Sequence, residues 1–303
     1  MLRRAGYLWL TAVLLFMAAP TIFVVINSFN ASPFSSFPPT GWSIQWYKAA
    51  VDYQPFRSGL VYSLVVGAIS TAISLFAGTT AAIAIVRGEF SGRDAIRGFF
   101  TSPLVVPRVV LGLSGYILFI TTFKAAFGPS SLVDNPAPLV AVHTLLELPL
   151  VIIVMSTGLA RCDTTVEDAA RDLGANPVGA FLRVTLPALR PWIIIAAVLA
   201  FNTSFDEVEA TIFLAPISGN TLPIDLFLYL EGSQTPTVAA VSVMMLAVSV
   251  LAVICAFAAG GARSFIADLG SGRRNPPSSS AGDTMGLENA QPLAQQARYS
   301  EGQ

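Results

Sequence analysis

Charge is scarce in this chain. Only 12% of its 303 residues are Asp, Glu, Lys or Arg, against about 25% in an ordinary soluble domain, which excludes a freely soluble fold. Lysine is almost absent, with Lys48 and Lys124 the whole complement. Neither follows a glycine, so the Gly-x-x-x-x-Gly-Lys-Ser/Thr arrangement that cradles nucleotide phosphates is missing and ATP cannot bind by that route. The two cysteines, Cys162 and Cys255, are far apart; neither a disulfide framework nor a metal-ligand spacing exists. A formal net charge of -1 leaves no basic field for nucleic acid. No catalytic residue, metal site or cofactor is expected.

What the chain has instead is apolar sequence. A bilayer core about 30 Å thick needs roughly 20 apolar residues per helix. Six stretches qualify, at 7–28, 59–86, 99–123, 137–160, 192–215 and 237–262. Arg3 and Arg4 ahead of an apolar run imitate a secretory leader. That run continues through "TIFVVINSF", so the first transmembrane helix is the expectation. The resulting fold class is an all-α membrane protein of six transmembrane helices.

Orientation follows from the basic residues. With both termini cytoplasmic, Arg3, Arg4, Arg87, Arg93, Arg97, Arg161, Arg171, Arg183, Arg190, Arg263, Arg273 and Arg274 lie inside, and only Lys48, Arg57 and Lys124 lie outside. Three regions result: 1–58, a first span plus an outer interfacial segment; 59–262, a transmembrane core with an inner loop at 161–191; and 263–303, a Ser-, Pro-, Gly- and Gln-rich tail expected to be disordered. In the outer segment, Trp42, Trp46 and Tyr47 suit a short helix lying at the membrane interface.

The inner loop is polar and written with helix punctuation. Thr164 and Thr165 each precede an acid at i+3, Glu167 and Asp168, giving two capping-box registers. Gly174 suits a left-handed C-terminal cap, and Asn176 with Pro177 restarts a helix that ends at Pro187 and Pro191. The loop has no His, no nucleophile with a base and no phosphate cradle. It presents the small residues Ala169, Ala170 and Gly174 beside apolar Leu173, Phe181 and Leu182, the makings of a docking element for a cytoplasmic partner.

"DAARDLGANPVGAFLRVTLP", Asp168 to Pro187, resembles the EAA loop of ABC importer permeases, Glu-Ala-Ala, three residues, Gly, nine residues, Ile, any residue, Leu-Pro. Ala169, Ala170, Gly174, Leu186 and Pro187 match; Asp168 stands for the Glu, Val184 for the Ile, and Glu167 offers the longer acid one residue earlier. The resemblance implies the type I ABC importer permease fold in a bacterial inner membrane. It also implies that the loop, with Glu167, Asp168, Ala169, Ala170, Gly174, Leu186 and Pro187, couples to a separate ATPase. The implied partners are a second homologous permease, an ATPase dimer, a periplasmic solute-binding protein and membrane lipid. This chain would then not be an enzyme.

Acids interrupt the apolar runs. "FNTSFDEVEATIF" places Asp206, Glu207 and Glu209 in the fifth stretch, and Glu147 with His143 stands in the fourth. Each mid-span carboxylate costs about 2.5–3.5 kcal/mol on insertion scales, so these groups need water, partners or an interface. One reading makes Asp206, Glu207, Glu209 and Glu147 an acidic lining for a cationic substrate. Others make them hydrated boundary groups or supports for an interrupted helix. His143 reads as an interhelical hydrogen bonder. Arg108 either pairs with one of the acids or snorkels.

"SFDEVEATIFLAPISGNTLPIDLF", "PPTGWSIQWY" and "SPLVVPRVVLG" are similar to stretches of the second permease of spermidine/putrescine importers. This implies a polyamine substrate, with Glu209 a departure from the subfamily's apolar or hydroxyl residue. Importers for iron(III), thiamine or phosphonate share the architecture and remain alternatives. A secondary transporter would show a repeat of broken helices and ionisable groups in both halves. No such repeat stands out, and the intramembrane charge falls mostly in the second half. An anchoring subunit without a transport path leaves the acids unexplained.

Overall fold

The computed structural model describes residues 2–34, 36–127, 135–216, 219–233 and 235–260. The expected disordered tail, 263–303, lies outside them. Residues Met1–Gly261 form one compact unit. It is helical, and its β pairing among the described residues is a single bridge between Asn30 and Trp42.

Helix α1, Leu2–Ser28, lies along α12, Thr237–Gly260. Between α1 and the core, α2 spans Gln45–Asp52. Trp46 donates Nε1–H to the Asn30 carbonyl at 2.6 Å and Tyr47 meets Ser28 at 2.7 Å, so the aromatics expected at an interface also fasten this segment to the end of α1.

The centre is α3, Gln54–Arg87, packed on α6, Ala137–Arg161, and α10, Arg190–Phe205. Its buried side carries Gly59, Ser63, Gly67, Ser70, Ser74, Gly78 and Ala82. That near four-residue repeat of small residues lets neighbouring helices approach closely, the usual packing solution where lipid supplies no hydrophobic drive between helices. A Cβ on Gly78 would come within 2.6 Å of Val151, and one on Gly67 within 3.2 Å of the Phe201 ring.

By length and composition, four helices can each cross a membrane, and six spans result when each of two bent pairs is counted once. The structure corrects two of the expected stretches. Instead of one rod over 99–123, helix α4 covers Arg93–Thr101, a 3-10 turn follows at Ser102–Leu104, and α5 runs over Arg108–Phe127 after a bend of 100°. Pro103 and Pro107 have no N–H to continue the ladder, and the amides of Val105 and Val106 fold back onto the Ser102 carbonyl.

The fifth expected stretch, 192–215, stops early: α10 ends at Phe205 and Asp206 is its C-cap. Beyond it the backbone takes a 3-10 turn at Thr211–Phe213 and then α11, Leu222–Gly232. Glu207 ends the straight path by accepting the Ala210 N–H at 3.0 Å. Glu209 therefore lies beyond the helix, whereas the Asp206 N–H keeps a helical bond to the Asn202 carbonyl at 3.3 Å.

Candidate functional site

The loop after α6 folds largely as its punctuation dictates. Helix α7 covers Thr164–Asp172, capped one residue earlier than expected. Asp163 is the cap, its Oδ1 accepting the Thr165 N–H at 3.0 Å and the Thr165 hydroxyl at 2.8 Å. Gly174 takes φ +93°, Gly174 N–H bonds the Arg171 carbonyl and Ala175 N–H bonds the Ala170 carbonyl, the bond pair of a Schellman stop. Asn176 then accepts the Gly179 N–H at 2.6 Å to start α8, Pro177–Ala180.

Pro187 does not end this second helix. A π turn over Phe181–Thr185 leads into α9, Leu186–Ala188, and the axis bends by 68° before α10. The widened turn just ahead of Pro187 is where a helical ladder can absorb a residue with no N–H.

The loop's faces separate cleanly. Leu173 is 90% exposed, Val178 66% and Leu182 52%, and Asp168, Ala169, Gly174 and Pro187 are exposed beside them, with Ala170 and Leu186 half-buried. Glu167 points the other way and is buried. Its Oε2 accepts from Arg87 Nη1 at 2.8 Å and from the Thr185 hydroxyl at 2.5 Å, and its Oε1 accepts from Arg171 Nη2 at 2.8 Å. Burial acts to raise the Glu167 carboxyl, but the Thr185 bond and the charges of Arg87 and Arg171 outweigh it and hold the group below its ordinary value. The Arg87 guanidinium also lies 5.9 Å from the Phe181 ring centroid.

A second constellation sits in the core. Glu147, on α6, is fully buried, and the hydroxyls of Ser70 and Ser74 on α3 donate to its two oxygens at 2.5 and 2.6 Å. Ser70 meets Ser204 of α10 at 3.2 Å, and Ser204 meets His143 Nδ1 at 2.6 Å. The other ring nitrogen, Nε2, reaches Thr211 at 2.9 Å, and Thr211 donates to the Glu207 carbonyl at 3.1 Å. Glu207 closes the series by pairing with Arg108 Nη1 at 2.6 Å. One chain of polar contacts thus joins α3, α6, α10, the following turn and α5.

The four acids expected along a pathway divide into two kinds. Glu147 and Glu207 are buried and engaged with protein groups, whereas Asp206 and Glu209 are exposed. Asp206 lines a cleft of about 380 Å³ together with Ser242 and apolar residues, among them Val208, Leu226, Phe227 and Met245. His143 is an interhelical hydrogen bonder, as expected, and Arg108 chooses an acid over snorkelling. Sequence reasoning missed Arg87 and Thr185 as partners of Glu167, and Ser70, Ser74 and Thr211 in the core. Ser70 and Ser74 did carry a signal, two hydroxyls at i and i+4 on an apolar span.

Over residues 71–261 the chain matches the family described as binding-protein-dependent transport system inner membrane component. It is 32% identical over 243 residues to the putrescine transport system permease protein PotI of Escherichia coli (strain K12), covering 78% of this chain and 85% of that protein. It is 26% identical over 253 residues to the spermidine/putrescine transport system permease protein PotC of the same strain, covering 84% and 92%. Among solved structures, a chain of a bacterial ABC transporter involved in alginate import superposes with a TM-score of 0.67 at 14% identity, over 84% of this chain and 94% of that one.

Proposed function

The chain belongs to the binding-protein-dependent transport system inner membrane component family, and from that premise we propose that it is a permease subunit of an ATP-driven importer of polyamines. The chain is a transporter subunit and not an enzyme. The observation that carries the substrate reading is the 32% identity to a putrescine permease over 78% of this chain and 85% of the relative. The acids support it: putrescine and spermidine are aliphatic cations, and Asp206 puts a carboxylate in the wall of a largely apolar cleft.

In this reading both termini are cytoplasmic, in keeping with the arginine distribution. The loop at 161–191 docks on the ATPase through the exposed ridge of Leu173, Val178 and Leu182, with Ala169, Ala170 and Gly174 permitting close approach. A second homologous permease completes the pathway, two ATPase subunits supply the energy, and a periplasmic binding protein delivers substrate to the outer loops. Asp206 and Glu209 meet the cation; Glu147 and Glu207 hold the scaffold behind them.

The test is uptake of labelled putrescine and spermidine by proteoliposomes holding the full complex, its binding protein and ATP. Asp206→Asn with Glu209→Gln should lower uptake while the ATPase subunits stay bound. No uptake of either polyamine by the native complex, with uptake of thiamine, iron(III) or a phosphonate instead, would overturn the substrate assignment and leave the permease role standing.

A further inference from the structure

We propose that Glu167 is a positioning residue of coupling: through Arg87 it fastens the docking helix α7 to the end of α3, so that a displacement of the loop reaches the transmembrane core. The proposal rests on the importer reading above. Glu167 lies in the loop but does not belong to its docking face. It is 4% exposed, while the neighbouring Val166 is 53% exposed and Leu173 90%.

Its three partners come from three places. Arg171 is on α7 itself, Thr185 is in the π turn before α9, and Arg87 is the last residue of α3. Of these three bonds it is the one to Arg87 that reaches α3, with one carboxylate oxygen at 2.8 Å from one guanidinium nitrogen, beside the contact of Phe181 with the same guanidinium. A buried carboxylate gives up one of its two guanidinium partners at a cost, so the Arg87 bond resists separation of α7 from the end of α3. Helix α3 in turn carries Ser70 and Ser74, whose hydroxyls hold Glu147 of α6. The route from loop to core therefore runs Glu167, Arg87, α3, Glu147. A load applied at Leu173 or Val178 enters it through the backbone of α7, without any contact between Glu167 and the ATPase.

The experiment compares putrescine imported per ATP hydrolysed, in proteoliposomes of the full complex, for the native chain and for Arg87→Met, Glu167→Gln, their double variant and Arg171→Met. Retention of the ATPase subunits through purification is scored for each. Arg87→Met and Glu167→Gln should each lower the ratio about tenfold with the ATPase retained. The double variant should be no worse than the worse single one, because both remove the same bond. Arg171→Met, which leaves the α3 tie intact, should keep a near-native ratio. Arg87→Lys guards against misfolding and should recover most of the ratio.

A native ratio in Arg87→Met would overturn this proposal alone. So would a loss in Arg171→Met as large as in Arg87→Met, or a loss that tracks release of the ATPase, since either makes Glu167 a stabiliser of the loop's own fold. An absence of ATP-driven uptake of any solute by the native complex would sink the importer reading, and this proposal with it.

Discussion

Arg108 opens α5 and Glu207 lies in the turn that follows α10, yet Arg108 Nη1 stands 2.6 Å from Glu207 Oε2. The pair joins the two places where the expected spans break: the bend before α5 and the early end of α10. Each break leaves a charged group at a helix end, and each charge answers the other.

Removing one member should be asymmetric. Arg108→Met strands a carboxylate that is 1% exposed, whereas Glu207→Gln leaves an exposed-side guanidinium free to find water and keeps an acceptor for the Ala210 N–H. The first should cost about 3 kcal/mol, discounted because Arg108 is only half-buried, and the second about 1 kcal/mol. Thermal unfolding midpoints in detergent measure both; equal losses would contradict the asymmetry.

At position 147 shape and hydrogen-bonding capacity matter together. Glu147→Gln keeps the outline and one oxygen for a serine hydroxyl, and its amide can donate to the other. Glu147→Leu takes the carboxylate acceptor from Ser70 and Ser74, both buried, and leaves their hydroxyls the Gly67 and Thr71 carbonyls and Ser204, a loss of about 1–3 kcal/mol in all. The expected order of stability is native, Gln, Leu, checked by the fraction of monodisperse protein recovered after graded heating.

Gly174 separates backbone strain from docking. Its φ of +93° is strained for any side chain, but nothing lies within 4 Å of where a Cβ would sit. Gly174→Ala should therefore cost the isolated chain only about 1 kcal/mol. Gly174→Asp adds bulk and charge to the face proposed to dock on the ATPase and should release the ATPase as well. Co-purification of the ATPase subunits distinguishes the two.

The loop should also be acid-sensitive in a defined sense. Glu167 is held below its ordinary value in the folded chain, so the stability it contributes is fully present above the ordinary carboxylate range and is lost as pH falls through the lower folded value. Proteolytic nicking around 164–188 should be unchanged between pH 7 and 6 and rise only in stronger acid. Glu167→Gln should flatten that rise. Nicking of the native loop that grows between pH 7 and 6 would contradict the sign.

The loop was the most legible part of the sequence because its signals are local. A glycine after the last helical turn acts through its own backbone and Asn-Pro at a helix start through a side chain that reaches three residues on, and the structure has both. Even so, Asp163 outcompeted the threonines as cap because its carboxylate reaches two donors of Thr165 at once. The six apolar stretches were legible by length, but not where two of them break. Ends at Leu104 and Phe205 are set by Pro103, Pro107 and the Arg108–Glu207 pair, whose partners are 99 positions apart. The acids were legible as anomalies only; whether a carboxylate meets solvent or two serines depends on helix rotation, which an all-apolar span does not encode. Ser70 and Ser74 mark a polar face on α3 by their spacing, but their partner, Glu147, is set by how α3 turns toward α6.

Helix α3 is unbroken for 34 residues, a rod of about 51 Å. Near one end Ser63 accepts the Leu222 N–H of α11 at 2.8 Å, and at the other Arg87 holds Glu167. These two attachments are fixed not only in distance but in phase. Adding a single residue to α3 below Ser74 would rotate Arg87 by about 100° away from Glu167 while Ser63 stayed in place, whereas adding four would bring it nearly back into angle, about 6 Å too far along. The helix behaves as a shaft keyed at both ends, and its length is under as strict a constraint as any side chain it carries.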